Sequence, residues 1–220
     1  LLVDAPALPF TLVREVARGG AGVVYEARER LGEQGLERRI ALKLAHQRAT
    51  TGRDSLVHEA RLAVRFRGPN VVPILDVDPD GGWIAMAWAE GGSLRDRLRA
   101  SANAGAQSVL GPLLSVLAEI HRQGLVHGDL KPANVLFDGR GNPWLSDFAL
   151  GRLVGEPGTP GSAGYVSPER LAGRPYDRRD DVFALGRILE ELAAHPDLAR
   201  ACTGPLASRP ADAAAVLALL

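Results

Sequence analysis

At Glu90-Gly91-Gly92 the period of the chain changes, and this constrains the fold more than any other feature. Upstream, Phe10 to Val16, Val23 to Arg28 and 38 to 45 (RRIALKLA) carry the alternation and β-branched or aromatic residues of strands, as do Val71 to Val77 and Trp83 to Trp88. Arg18-Gly19-Gly20-Ala21-Gly22 reads as a glycine-rich hairpin turn between the first two, and Pro79-Asp80-Gly81-Gly82 as a turn between the last two. One helical pattern, residues 54 to 67, interrupts these strands through Leu56, Val57, Ala60, Ala63 and Val64. Downstream the spacing is helical. Ser93 opens a helix to Ala100 as an N-cap. Ser108 to Gln123 presents Val109, Leu113, Val116, Leu117 and Ile120 on one face and stops at Gly124, Asp180 to Ala194 is a long apolar helix, and the tail from Arg209 to Leu220 is helical. Short strands fall near 134–137 and 143–146. The expectation is an α+β chain: a leader over 1–9, a small five-stranded β-rich lobe with one helix over about 10–88, a hinge near 87–92, and a larger helical lobe over about 93–220.

Composition narrows the function classes. Of 220 residues 46% are apolar, which supports a packed core, and the formal charge is zero, which gives no electrostatic case for nucleic acid as partner. No apolar run is long enough to span a bilayer and no signal peptide is evident. The single Cys202 fits a reducing compartment, and because the only methionine is Met86 the chain is expected to be a fragment of a longer one. Among 26 basic residues only Lys43 and Lys131 are lysines. Arginine is a planar fork and lysine a compact point charge, so a chain that almost avoids lysine is expected to keep it where a point charge is needed; the alternative is chance survival of two surface residues.

Both lysines fall in chemically pointed contexts. In His127-Gly128-Asp129-Leu130-Lys131-Pro132-Ala133-Asn134 four polar functional groups crowd into eight positions before the apolar run Val135-Leu136-Phe137, a loop that feeds a strand and holds a charged ligand. Lys43 ends Ile40-Ala41-Leu42-Lys43 in the middle of the third strand, where burial without an anion would be costly. Glu59, on the first helix, is the only glutamate between Lys43 and Glu90 and is its natural ion-pair partner; a solvent-facing lysine on an edge strand is the plain alternative. Gly19, Gly22 and Val24 make a strand–turn–strand in which backbone amides can approach phosphate oxygens, a weak signal alone because glycine hairpins are common.

In order and at these spacings, Ala17-x-Gly19-x-x-Gly22-x-Val24, Lys43, Glu59, the 127–134 loop, Asp147-Phe148-Ala149 and Ser167-Pro168-Glu169 resemble the signature set of the eukaryotic-type (Hanks-type) protein kinases, in their bacterial serine/threonine form. The resemblance covers about residues 10 to 220 and implies a two-lobed kinase fold with a shortened C-terminal lobe. It also implies phosphoryl transfer from ATP with Mg²⁺, or Mn²⁺ in its place, to serine or threonine of a protein substrate. Lys43, paired with Glu59, would hold the α- and β-phosphates. Asp147 and Asn134 would hold the metal ions, Asp129 would accept the substrate proton, and Lys131 would neutralise the transferring group. Val24, Ala41 and Leu136 would enclose the adenine, with Met86 as gatekeeper and hinge bonds from the Ala87 and Ala89 backbones. Asp181 would support the loop backbone, and Arg209 would pair with Glu169. ATP dependence and the lone cysteine imply a cytoplasmic setting.

Four positions depart from that family's pattern. Ala17 stands for a glycine, tolerable if φ stays negative. Gly128 stands for an arginine that receives a phosphorylated activation segment, so Thr159 and Ser162 are not expected to be on-switches. Ala149 stands for a glycine that eases rearrangement of the metal-binding turn, and Ser167 for an alanine. Two other readings therefore stay open: a pseudokinase serving as a nucleotide-binding or docking module, and a small-molecule phosphotransferase, a class that also writes its loop His-Gly-Asp. The intact Lys43, Glu59, Asp129, Lys131, Asn134 and Asp147 weigh against the first; Lys131 and Ser167-Pro168-Glu169 weigh against the second.

Overall fold

The computed structural model describes residues 8–19, 22–32, 35–46, 50–66, 68–100, 106–159 and 161–220, so most of the expected leader and Gly20 and Ala21 of the glycine turn lie outside the described residues. The chain forms two compact units, one of residues 1–64 and 72–88, the other of 65–71 and 89–220.

The first unit is an antiparallel five-stranded sheet of order β1-β2-β3-β5-β4, with β1 Phe10–Arg18, β2 Gly22–Leu31, β3 Leu36–Ala45, β4 Ile74–Asp78 and β5 Trp83–Ala87. Its core is the buried set Phe10, Ala27, Ile40, Leu42, Trp83 and Ala85. The Phe10 and Trp83 rings meet edge to face with centroids 4.9 Å apart, an arrangement favoured by the ring quadrupoles. Arg28–Glu37 and Arg39–Glu26 pair across β2 and β3 on the opposite face, and Arg38–Glu29 pairs on the core face beyond Ala27 and Ile40. Exposed pairs of this kind stabilise little; they favour one register over a slipped one. Edge strand β1 carries two bulges, between Leu12 and Arg14 and between Glu15 and Ala17. The fourth strand starts at Ile74, not at the expected Val71. Pro73 has no N–H to give a ladder, and Val71 instead bridges Leu145 within the second unit. Helix α1, Thr50–Arg65, buries Leu56, Ala60, Leu62 and Ala63.

The second unit is helical around two small hairpins. Helix α2, Leu94–Ala100, is capped by Ser93: its hydroxyl accepts from Asp96 N (3.2 Å) and the Asp96 carboxylate accepts from Ser93 N (3.0 Å). Helix α3, Ala106–Arg122, buries Val109, Leu110, Leu113, Leu114, Leu117 and Ile120, and ends at Gly124, which adopts φ +74°. Strands β6 (Leu125–Val126) and β9 (Arg152–Leu153) pair, as do β7 (Val135–Phe137) and β8 (Pro143–Leu145). Helix α4 is Pro168–Leu171. The long apolar helix, α5, is Arg178–Glu191, earlier than its apolar run suggests because Asp177 caps it in a full capping box with Asp180. Helix α6, Pro196–Thr203, lies so close to α5 that a Cβ on Gly186 would meet Cys202 Cβ at 2.8 Å and Thr203 Cγ2 at 2.7 Å. The expected tail helix is only Ala213–Leu217 (α7), capped by Asp212; Arg209 is held elsewhere. Among the described residues no helix is long and apolar enough to cross a membrane.

Candidate active site

Within the first unit, Lys43 sits on β3 opposite Val24 of β2 and Ile84 of β5. Its Nζ donates to Glu59 Oε2 at 2.6 Å, and the two side chains are 7% and 4% exposed. So deeply buried a pair is held by mutual need: removing one partner strands the other charge, at a cost of about 3–5 kcal/mol. The glycine turn is closed by Gly19 N–H to Gly22 O (2.9 Å), and His46 Nε2 lies 2.8 Å from Gly19 O. Gly22 is required by packing as well, since a Cβ there would stand 2.2 Å from Leu44 O of β3. Ala17 pairs with Val24 in the ladder and is not among the residues at positive φ, so its methyl is accommodated. Val24 and Ala41 are half-buried, and Met86, opposite Ala41, is buried. Ala87 N–H bonds Pro73 O (2.9 Å), so any bond from Ala87 to a ligand would use its carbonyl.

Within the second unit, the 127–134 loop is built on Asp181 of α5. His127 N–H and Gly128 N–H donate to its two carboxylate oxygens at 2.7 and 2.9 Å. Ala213 N–H donates to His121 Nδ1 (3.1 Å), so the proton sits on Nε2, which faces the same carboxylate at 3.0 Å. Burial pushes the Asp181 carboxyl up, but the bonds it accepts from His121 and the Gly128 amide hold it below the usual carboxylate value. The fully buried His127 is fixed in the same way: Asp129 N–H donates to its Nδ1 (3.3 Å), and its Nε2 meets Ser146 O at 3.0 Å.

This scaffold presents Asp129. Lys131 Nζ donates to Asp129 Oδ2 at 2.6 Å, and Asn134 Nδ2 to Asp129 O at 2.8 Å and Oδ2 at 3.3 Å. Ser162 closes the cluster, its N–H donating to Asp129 Oδ1 (2.8 Å) and its hydroxyl accepting from Lys131 Nζ (2.6 Å). The sequence reading treated Ser162 only as a discounted phosphate acceptor and missed this place; the signal was its hydroxyl five residues before Ser167-Pro168-Glu169. Ser146 ties Asn134 to Asp147 by donating its N–H and its hydroxyl to Asn134 O (2.9 and 3.0 Å). Asp147 adopts φ 63°, ψ 70°, the left-handed region that a side chain enters at a cost. Ala149, by contrast, is buried in a 3-10 turn, Phe148–Leu150, and needs no glycine's freedom in this conformation. Phe148 stacks on Phe66 at 6.0 Å and meets the His127 ring at 5.1 Å. Leu136 is half-buried on β7, and Ala89 O accepts from Gly92 N–H (3.1 Å). Elsewhere in the unit, Arg209 Nη1 reaches Glu169 at 3.1 Å and bonds the Arg179 carbonyl, and its Nη2 bonds the Gly204 carbonyl.

A protein kinase domain profile matches residues 10–204. Over 200 residues the chain is 34% identical to the serine/threonine-protein kinase PknJ of Mycobacterium tuberculosis, covering 83% of this chain and 33% of that one. It is 33% identical over 197 residues to the serine/threonine-protein kinase PknL of the same species, covering 83% and 48%. It is 36% identical over 194 residues to the human calcium/calmodulin-dependent protein kinase type 1B, covering 75% and 55%. The chain thus spans between about a third and just over half the length of these relatives. A domain match over nearly the whole chain, joined to relatives of this identity, leaves one conclusion: the chain belongs to the Hanks-type protein kinase family.

Proposed function

We propose that the chain transfers the γ-phosphoryl group of ATP to a serine or threonine hydroxyl of a protein, on the cytoplasmic side where ATP is held. The observation that carries this reading is the convergence of Lys131, Asn134 and Ser162 on Asp129. A carboxylate offers about four acceptor positions. These three partners occupy three, which leaves one for an incoming hydroxyl. Asp129 would take that hydroxyl's proton as its oxygen forms the new bond to phosphorus and the bond to the β-phosphate breaks. Lys131, already a point charge beside Asp129, would balance the charge on the equatorial oxygens. Lys43, fixed by Glu59, would hold the α- and β-phosphates.

The donor set suits Mg²⁺. The Asn134 amide nitrogen is used on Asp129 O, which leaves its oxygen as the ligating atom, and Asp147 adds a carboxylate. Among the described residues no three His, Cys, Asp or Glu side chains converge as a preformed cage, and a metal that shares its shell with phosphates needs none. When bound, the ion would neutralise charge across the β- and γ-phosphates. For the adenine edge, the Ala87 carbonyl and the Ala89 N–H are the hinge groups whose partner atoms are otherwise engaged.

The test is incubation with Mg-ATP and a generic protein substrate, followed by mass spectrometry, beside Lys43→Met and Asp129→Asn. Phosphoserine or phosphothreonine that disappears in both variants is expected. Nucleotide-dependent thermal stabilisation without transfer would overturn the reading in favour of a binding module, and transfer only to a small hydroxyl compound in favour of a small-molecule phosphotransferase.

A further inference from the structure

Gly128 and Arg170 solve one problem together. Gly128 has φ +79°, and a Cβ there would lie 2.7 Å from Leu150 O and 3.2 Å from Tyr176 Cε1. No side chain, least of all an arginine, fits at this corner. The arginine that does lie below the activation segment comes from the other direction. Arg170, on α4 and 4% exposed, sends Nη2 to Gly158 O (2.7 Å) and Thr159 O (3.3 Å), and Nη1 to Arg174 O. Its guanidinium carbon stands 3.7 Å from the centroid of the Tyr176 ring. Tyr176 continues the clamp: its hydroxyl donates to Thr159 O (2.8 Å), its N–H to Glu156 O (2.9 Å), and its own carbonyl accepts from Gly155 N–H (2.8 Å). Gly158 is bare for the same reason, because a Cβ would stand 2.6 Å from the Tyr176 ring. Three residues beyond Thr159, Ser162 meets Asp129 and Lys131.

A guanidinium is suited to this place. It is a rigid fork that bonds several acceptors at fixed angles and stacks on an aromatic face, which an ammonium cannot reproduce. Buried charge also needs compensation, and here carbonyl dipoles and the face of a ring supply it. Where a phosphorylated segment is held by a phosphate on an arginine, here the arginine grips the segment's own carbonyl oxygens and needs no phosphate.

We propose that Arg170, seated on Tyr176, is a positioning residue that holds the activation segment through its main-chain carbonyls, fixes Ser162 against Asp129 and Lys131, and so renders transfer independent of segment phosphorylation. This rests on the phosphotransfer reading above, but the clamp itself can be read without activity.

The experiment compares wild type, Arg170→Lys, Arg170→Ala and Thr159→Ala as full chains. Hydrogen exchange at the 155–162 amides is expected to quicken about tenfold or more in both Arg170 variants. Turnover should fall about 10- to 100-fold, with KM for ATP within about twofold of wild type. Added guanidinium should restore part of the turnover of Arg170→Ala and none of Arg170→Lys, since the emptied space adjoins a cavity of ≈20 Å³ lined by Gly128, Asp129, Ser162 and Tyr176. Thr159→Ala keeps the carbonyl and should turn over like wild type, with no phosphate on 155–166. Unchanged exchange and turnover in Arg170→Lys would overturn the proposal, and so would loss of turnover in Thr159→Ala. If Arg170→Ala does not fold, those two variants still decide. A wild type that transfers nothing to protein overturns the phosphotransfer reading instead, while the exchange comparison still reports on the clamp.

Discussion

Lys43 in the first unit and Arg170 in the second are both buried cations, and they are held in opposite ways. Lys43 meets a carboxylate, Glu59, at 2.6 Å, one charge against one charge. The guanidinium of Arg170 bonds carbonyl oxygens of three residues and stacks on a ring. An ammonium is a compact point charge whose donors turn freely about its stem. A fork whose two Nη groups bond several carbonyls fixes a stretch of main chain. Buried cations are thus met by an ion pair in one unit and by main-chain carbonyls and a ring in the other.

The largest effect that could break this contrast is at Lys43. Lys43→Met takes the paired lysine from a carboxylate that stays buried, and denaturant titration should show a loss of about 3–5 kcal/mol together with loss of transfer. The double variant Lys43→Met/Glu59→Leu should regain most of that stability and none of the transfer, which separates the pair's structural part from its chemical part. In the second unit Gly128→Ala should cost about 1–3 kcal/mol through forced left-handed backbone, with further loss from the contact with Leu150 O. Asp177→Ala removes the cap of α5 and should cost about 1 kcal/mol, read as a lowered melting temperature.

A pH effect follows from Asp180, whose carboxyl burial pushes up to about 6 despite bonds from Ser167 and the Asp177 amide. A carboxyl with a folded-state pKa above its usual 3.8 stabilises the fold most at low pH. That contribution is complete below about 3.8 and gone once pH has risen through about 6, so Asp180→Asn should flatten the stability profile in this window. Smallest is the response of the surface pairs on β2 and β3: high salt should barely move the unfolding of Arg38→Gln relative to wild type.

The strand-rich first part, the helical second part and the pairing of Lys43 with Glu59 were legible because each rests on a local pattern. Alternation marks a strand, and a charged residue in an apolar run demands a partner nearby. The capping of α2 by Ser93 was legible for the same reason. The early start of α5, the short tail helix and the late start of β4 were not. Each is decided by one cap or one missing N–H that competes with a longer apolar pattern. The pairing of β6 with β9 joins segments 26 residues apart, and two residues carry too little pattern to announce themselves. Ser162 and Arg170 were missed for a deeper reason: their partners are backbone atoms or distant side chains that only the folded path of the activation segment brings near. Gly128 reads in sequence as a missing arginine, whereas its backbone shows a corner that excludes every side chain.

The near absence of lysine has a practical consequence once Lys43 is seen within its sheet. A protease that cuts only after lysine finds two candidate bonds in 220 residues, and the one after Lys131 precedes Pro132 and resists cleavage. The remaining bond lies inside β3, hydrogen-bonded on both edges to β2 and β5. Scission into 1–43 and 44–220 thus requires that this strand come out of its sheet. Its rate becomes a direct meter of how often the central strand opens, and a bound nucleotide would be expected to slow it.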